Sequence, residues 1–371
     1  MTSIFDIPLI RKNINKNPLK NIKYVNKAFY EDFNESRILK KKDVDNTLKN
    51  IISINDSIEI TYCFLYFNLR YLDLSNNNIT YLPDIFGNLN INGDLNLCCN
   101  KIEFLPETFG NIQIGGYLDL SSNKIRNLPQ SFCNIKCLES LYLYCNRLKT
   151  LPKDFGKIKI IQNLNISCNK LISLPKSFGN FKILGALSLE HNLLTLLPQN
   201  FINIKAMSLY LSHNKLICLP KNFGMIDIQN NIWLSDNNLI FLPKSIGKIN
   251  LHGSLYVKNN NLMNLPNTFP NIQINGSLNL SSNKITSLPK RFQFIKIGRN
   301  IDLANNLIKK LPNDIYKLIK INGDFFLNNN LLRKIPKNFS KLIIYGRLDL
   351  KNNFFIRFPK DLNNVFGVIN F

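Results

Sequence analysis

One Asn returns along this chain at a nearly constant step. It stands at Asn77, Asn100, Asn123, Asn146, Asn169, Asn192, Asn214, Asn237, Asn260, Asn283, Asn306, Asn330 and Asn353, 23 residues apart except for one step of 22 and one of 24. Each is preceded by apolar residues at −5 and −3 and followed by one at +2. A Pro follows six residues later, so thirteen of the sixteen prolines keep the same frame. A period of this length held for thirteen turns predicts a solenoid, in which each turn is one small unit that buries its apolar face only against its neighbours. The frame runs from about residue 69 to the end, with no low-complexity linker. It overrides the two or three globular domains that 371 residues would otherwise suggest.

Within a turn the residues have legible duties. Leu118 and Leu120 are two apart and face one side of a strand, while Tyr117, Asp119 and Ser121 face the other. Asn123 falls where the chain leaves the strand. Its amide has donors and an acceptor for backbone groups that the turn would orphan. Pro129 has a fixed φ and no N–H, which stops helix and favours an extended leg.

The pattern LxLxxNxIxxLPxxF, as in Leu95–Phe109, Leu118–Phe132 and Leu278–Phe292, resembles the leucine-rich repeat family over about four-fifths of the chain. The resemblance implies a horseshoe solenoid of thirteen repeats over residues 69–371, with a parallel sheet on the concave face and a ladder of the thirteen asparagines along one edge. The LPxxFG segment is similar to the intracellular 23-residue class, whose members are protein-docking scaffolds. The wealth of Asn, Ile and Lys resembles AT-rich genomes such as those of giant DNA viruses or protists. The expected location is the cytoplasm, a host's if the origin is viral.

One departure from the family pattern bears on the outer face. The usual Leu three residues before the strand pair is replaced at Asn92, Gly115, Asn275 and Gly298, and apolar residues stand instead at −6 and −4, as Ile112 with Ile114 and Ile272 with Ile274. Alternation of period two predicts a short outer strand, not an outer helix. Glycines at −2, such as Gly93, Gly116, Gly276 and Gly346, are expected to permit the sharp turn into the next inner strand.

Residues 1–68 carry no repeat. Helices are expected over Asn26–Lys42 and Asp45–Ile54 and a strand over Ser57–Phe67. This segment is expected to be a small, partly helical cap over the open end of the array. The alternative is a recruitment module, which would make the chain a substrate receptor of a ubiquitin ligase. The N-terminus lacks the pattern of a secretory signal, and there is no apolar run of membrane-spanning length. Eight unevenly spread cysteines read as free thiols in a reducing compartment.

Function is expected on the inner face. Its middle column reads Asp73, Asn96, Asp119, Tyr142, Asn165, Ser188, Tyr210, Trp233, Tyr256, Asn279, Asp302, Phe326 and Asp349. Tyr142 and Tyr144, then Tyr210, Trp233 and Tyr256, put aromatic anchors in the centre, and Trp233 is the only Trp of the chain. The competing reading is that these rings only stack on each other to cover the sheet. With Phe326, Asp119 and Glu190 they form the candidate docking set for a protein partner.

The three inner columns sum to a charge of −4, whereas the whole chain carries +23. Lysines and arginines line the turns after each Asn and Pro and alternate along the outer arm. Nucleic-acid grooves interleave cations with aromatics in one concavity, and here the two are on different faces. Binding of nucleic acid or an acidic membrane through the outer rows stays open as the alternative. The other reading of the lysines is a solvated, self-repelling exterior, which fits a monomer.

Cys99, Ser122, Cys145, Cys168, His191, His213 and Asp236 precede successive ladder asparagines and include metal-ligand types. A straight ladder spreads ligands that a tetrahedral site must converge, so no metal or cofactor is expected. The three histidines, His191, His213 and His252, have no evident nucleophile partner. Phosphate-loop, dinucleotide, zinc-protease and nucleophile-elbow motifs are all missing from the sequence, and the chain reads as a non-enzyme.

Overall fold

The computed structural model of the protein describes residues 69–318, 320–356, 362 and 364–370. The expected N-terminal cap therefore lies outside the described residues. From Leu69 onward the turns contribute 14 inner strands to one parallel sheet, and the outer strand Gln113–Ile114 joins it off that path. The register is in step from turn to turn: Leu118 faces Leu141, Asp119 faces Tyr142, and Trp233 lies between Tyr210 and Tyr256. Leu118, Leu120, Leu141 and Leu143 are fully buried, so the alternation read from the sequence gives the sheet its inward face.

The asparagine ladder is complete from Asn100 to Asn353. Asn146 shows the pattern. Its Nδ2 donates to the Leu143 carbonyl at 3.1 Å in its own turn and to the Leu120 carbonyl at 2.9 Å in the turn before, and its Oδ1 accepts from the Ile125 N–H at 2.9 Å. Asn237 does the same with Leu234, Leu211 and Leu216. Each side chain thus satisfies three backbone groups that the bend removes from any strand partner.

The residue before each ladder Asn is in the left-handed region, with φ between 53° and 58° from Asn76 to Asn352, and none of these residues is Gly. No described Gly has positive φ. The glycines therefore act by size and not by φ, which corrects the expected turn role. A Cβ on Gly116 would collide with the Asp94 side chain and the Gly93 backbone of the turn before, and one on Gly110 would overlap the Ser131 carbonyl. Successive turns approach too closely there for a side chain.

The outer leg is not wholly extended. A single 3-10 turn follows the Pro, as in Glu107–Asn111 after Pro106, and the Phe109 N–H donates to the Pro106 carbonyl at 3.0 Å. This turn drives Phe inward. Phe86, Phe109, Phe132, Phe155, Phe178 and Phe201 stack with ring centroids 5.9–6.4 Å apart and planes within 8°. The predicted outer strands are present as two-residue pieces. Gln273–Ile274 pairs with Asn250–Leu251 and with Lys296–Ile297, and the ladders are again parallel. Among the described residues there is no α-helix, and no helix long and apolar enough to cross a membrane.

Candidate functional site

All thirteen middle-column residues of the inner sheet are half-buried, so side-chain size alone sets the relief of this face. Three of the predicted aromatics form one stack. The Trp233 ring lies 4.0 Å from that of Tyr256 and 6.1 Å from that of Tyr210, with planes tilted by 21° and 16°. The strand spacing of about 4.8 Å imposes this stacking on aromatics in consecutive rungs. The Trp233 indole N–H is covered and has no hydrogen-bond partner. Tyr142 stands apart, edge-on to Tyr117 at 6.1 Å. Asn165 and Ser188 occupy the two rungs between Tyr142 and Tyr210. Tyr144 is half-buried one column over, beside the Asn edge. Phe326 is three rungs beyond Tyr256 and lies under the Arg347 guanidinium at 5.3 Å, so the structure does not bring it into the central group.

The acidic residues of this face serve two purposes. Asp119 Oδ1 accepts the Ser121 N–H at 2.8 Å, and Asp73, Asp302 and Asp349 take the same position toward the residue two further on. Asp94 accepts the Tyr117 N–H. Asp324 pairs with Arg347 at 2.9 Å, and the guanidinium holds its carboxyl below the ordinary range. Burial pushes Asp302 upward, partly offset by the Ala304 N–H. Burial also raises Glu190, against the opposing pull of His191, the Ser212 hydroxyl and His213. Glu190 belongs to the central region; Asp119 is in part a local backbone cap.

The metal-like column is the left-handed column. His191 and His213 stack at 4.2 Å, and His213 Nε2 is 3.6 Å from Asp236 Oδ2. These are side-by-side rungs, and no three His, Cys, Asp or Glu side chains converge among the described residues. Three of the thiols, Cys98, Cys133 and Cys145, are poor nucleophiles and ligands. Burial and the Asp119 charge push Cys98 up to about 12, and Cys133 and Cys145 are raised mainly by burial.

One surface escaped the sequence reading. Three or four residues beyond the ladder Asn, Ile172, Leu196, Ile217, Ile240, Phe241 and Met263 are exposed on the flank of five successive turns. Tyr81, Phe104 and Ile356 are exposed at the same position in other turns, and Arg126, Lys149 and Lys309 interrupt the row. The recurrence of apolar residues within one repeat column was the available signal.

Two "Leucine rich repeat" family models match the chain, at residues 93–148 and 68–89. The solved structures add the solenoid fold. A plant peptide hormone receptor, RGFR1, in complex with RGF2 superposes with a TM-score of 0.63 at 23% identity, over 81% of this chain and 55% of that one. Drosophila Toll in its complex with Spatzle gives 0.57 at 20% identity, over 81% of this chain and 43% of the other. A leucine-rich repeat protein of Leptospira interrogans is 25% identical over 86% of this chain and 99% of its own, with a TM-score of 0.45. No curated protein matches the sequence. The family models match residues 68–89 and 93–148, and the fold of the array is similar to that of leucine-rich repeat solenoids. Members of this family are typically protein-interaction scaffolds and not enzymes.

Proposed function

We propose that this protein is a docking scaffold that recognises a protein partner on the inner sheet, over the rungs from Tyr142 to Tyr256. The observation that supports this reading is the set of half-buried aromatics, Tyr142, Tyr144, Tyr210, Trp233 and Tyr256, grouped on a face otherwise lined by small polar and acidic residues. Aromatics of this kind present large apolar area at little cost in side-chain entropy, and they anchor interfaces for that reason. Apart from Lys258, Arg347 and Lys351, the basic residues of the array lie outside the inner columns, so a partner on the inner face meets mainly the aromatics and the acids.

The test is cross-linking mass spectrometry in cells with the wild-type chain and with Trp233→Ala and Tyr256→Ala. Loss of the same cross-linked partner in both variants, with unchanged thermal unfolding, is expected. Identical cross-links in all three would remove the inner face from consideration.

A further inference from the structure

The inner sheet carries a depression of about 290 Å³ between the isolated Tyr142 and the aromatic stack. Tyr142 and Tyr210 form its walls, Asn165, Ser188 and Ala186 its floor, and Glu190 lies at the Asn edge of the sheet. It exists because two small rungs separate two large ones. Three strand spacings put the wall backbones about 14 Å apart, which leaves room for one extended segment with its side chains.

The chemistry of the floor is lopsided. Of the seven inner-face acids, Glu190 alone holds neither a backbone N–H nor a Lys or Arg. The other six are engaged as described above. Burial raises its carboxyl, so the group is carried at a cost in stability. The oxygen of Asn165 is occupied, accepting from the Ser167 N–H at 3.0 Å and hydroxyl at 2.7 Å. Its amide N–H groups have no partner among the described residues and suit the carbonyls of an incoming backbone. The two tyrosine walls add ring faces that attract a cation. A phosphate would meet an acid and no lysine here, and an apolar side chain would leave the carboxylate unpaired.

We infer that this depression receives a Lys or Arg side chain from an extended basic segment of a partner protein, with Glu190 as the counter-charge and Tyr142 and Tyr210 as its walls. The inference rests on the docking reading of the same face and names the chemistry of the occupant.

The test uses the purified full chain and a set of immobilised nine-residue peptides with a central Arg or Lys. Matched peptides carry citrulline, acetyl-lysine or norleucine at the centre, with flanking charges adjusted to equal net charge. Peptides with the central cation are expected to bind about tenfold more tightly than their matched neutral forms, the usual scale for a partly buried charge pair. Glu190→Gln should remove that preference, while Glu103→Gln, a matched change on the flank, should keep it. Thermal unfolding of Glu190→Gln at neutral pH should show a fold at least as stable as wild type, so lost binding would not reflect misfolding. Equal binding by neutral peptides, no binding by any cationic peptide, or an unaltered preference in Glu190→Gln would overturn the inference. So would self-association that Glu190→Gln abolishes, because the occupant would then be a second copy. If the Trp233→Ala cross-links are lost while Glu190→Gln changes nothing, the docking face stands and this occupant does not. If neither variant matters, both readings fall.

Discussion

Thirteen residues in the left-handed backbone region, none of them Gly, carry the bend at the end of every inner strand. For an L-residue that conformation costs about 1–2 kcal/mol, and Asn, Asp and His tolerate it best. This accounts for a column that reads Asn, Cys, Ser, His and Asp, and that resembles a ligand set on paper. The adjacent ladder Asn over-determines the bend by holding three backbone groups, so the strain persists. Cys145 is exposed at this position with φ 55°. Cys145→Val, β-branched where the backbone crowds Cβ, is expected to lose about 1 kcal/mol or more, and Cys145→Asn to be neutral or stabilising. Urea denaturation of the two variants decides this, and equal stabilities would show that the bend is not strained.

At the scale of the element, the inner strand is two or three residues long in most turns and could not exist alone. It is held by the register of its neighbours on one side and by the phenylalanine spine on the other. Phe178 is fully buried, stacked on Phe155 and Phe201 and edge-on to Phe181 at 5.1 Å. Phe178→Ala removes a ring from a continuous column that cannot collapse without breaking register in both adjacent turns. The expected loss is about 3–5 kcal/mol, measured as a shift of the denaturation midpoint. A loss below 1 kcal/mol would mean that the spine is loosely packed. The short outer strands were legible because Ile272 and Ile274 alternate. The 3-10 turn after Pro was not, because one turn of helix has no periodicity to read. The duty of glycines such as Gly116 was misread for a related reason. A Gly needed for close approach and a Gly needed for positive φ look alike in one dimension.

For the whole molecule, contacts run only between neighbouring turns, so stability is a chain of local interfaces. At the described C-terminal end the inward Asn353 and Phe355 are only half-buried, whereas their counterparts in a central turn, Asn169 and Leu171, are buried. Amide hydrogen exchange is therefore expected to be slowest around Leu164–Val257 and progressively faster after Leu350. Uniform protection along the array would show that it opens as one cooperative unit. The positive residues of the array, most of which lie outside the inner columns, oppose stacking of one array on another and leave the inner face as the region of opposite sign.

The sequence by itself determined the solenoid, the period, the inward and outward faces and the asparagine ladder, because these follow from alternation and a fixed step repeated thirteen times. It also placed Tyr210, Trp233 and Tyr256 in consecutive rungs. Only the tertiary structure decided that Tyr142 stands across a depression from them and that Asp119 is held by its own backbone while Glu190 is not. Those properties depend on relative side-chain size and on which lone pairs neighbouring turns already occupy, and neither is visible until the turns are stacked.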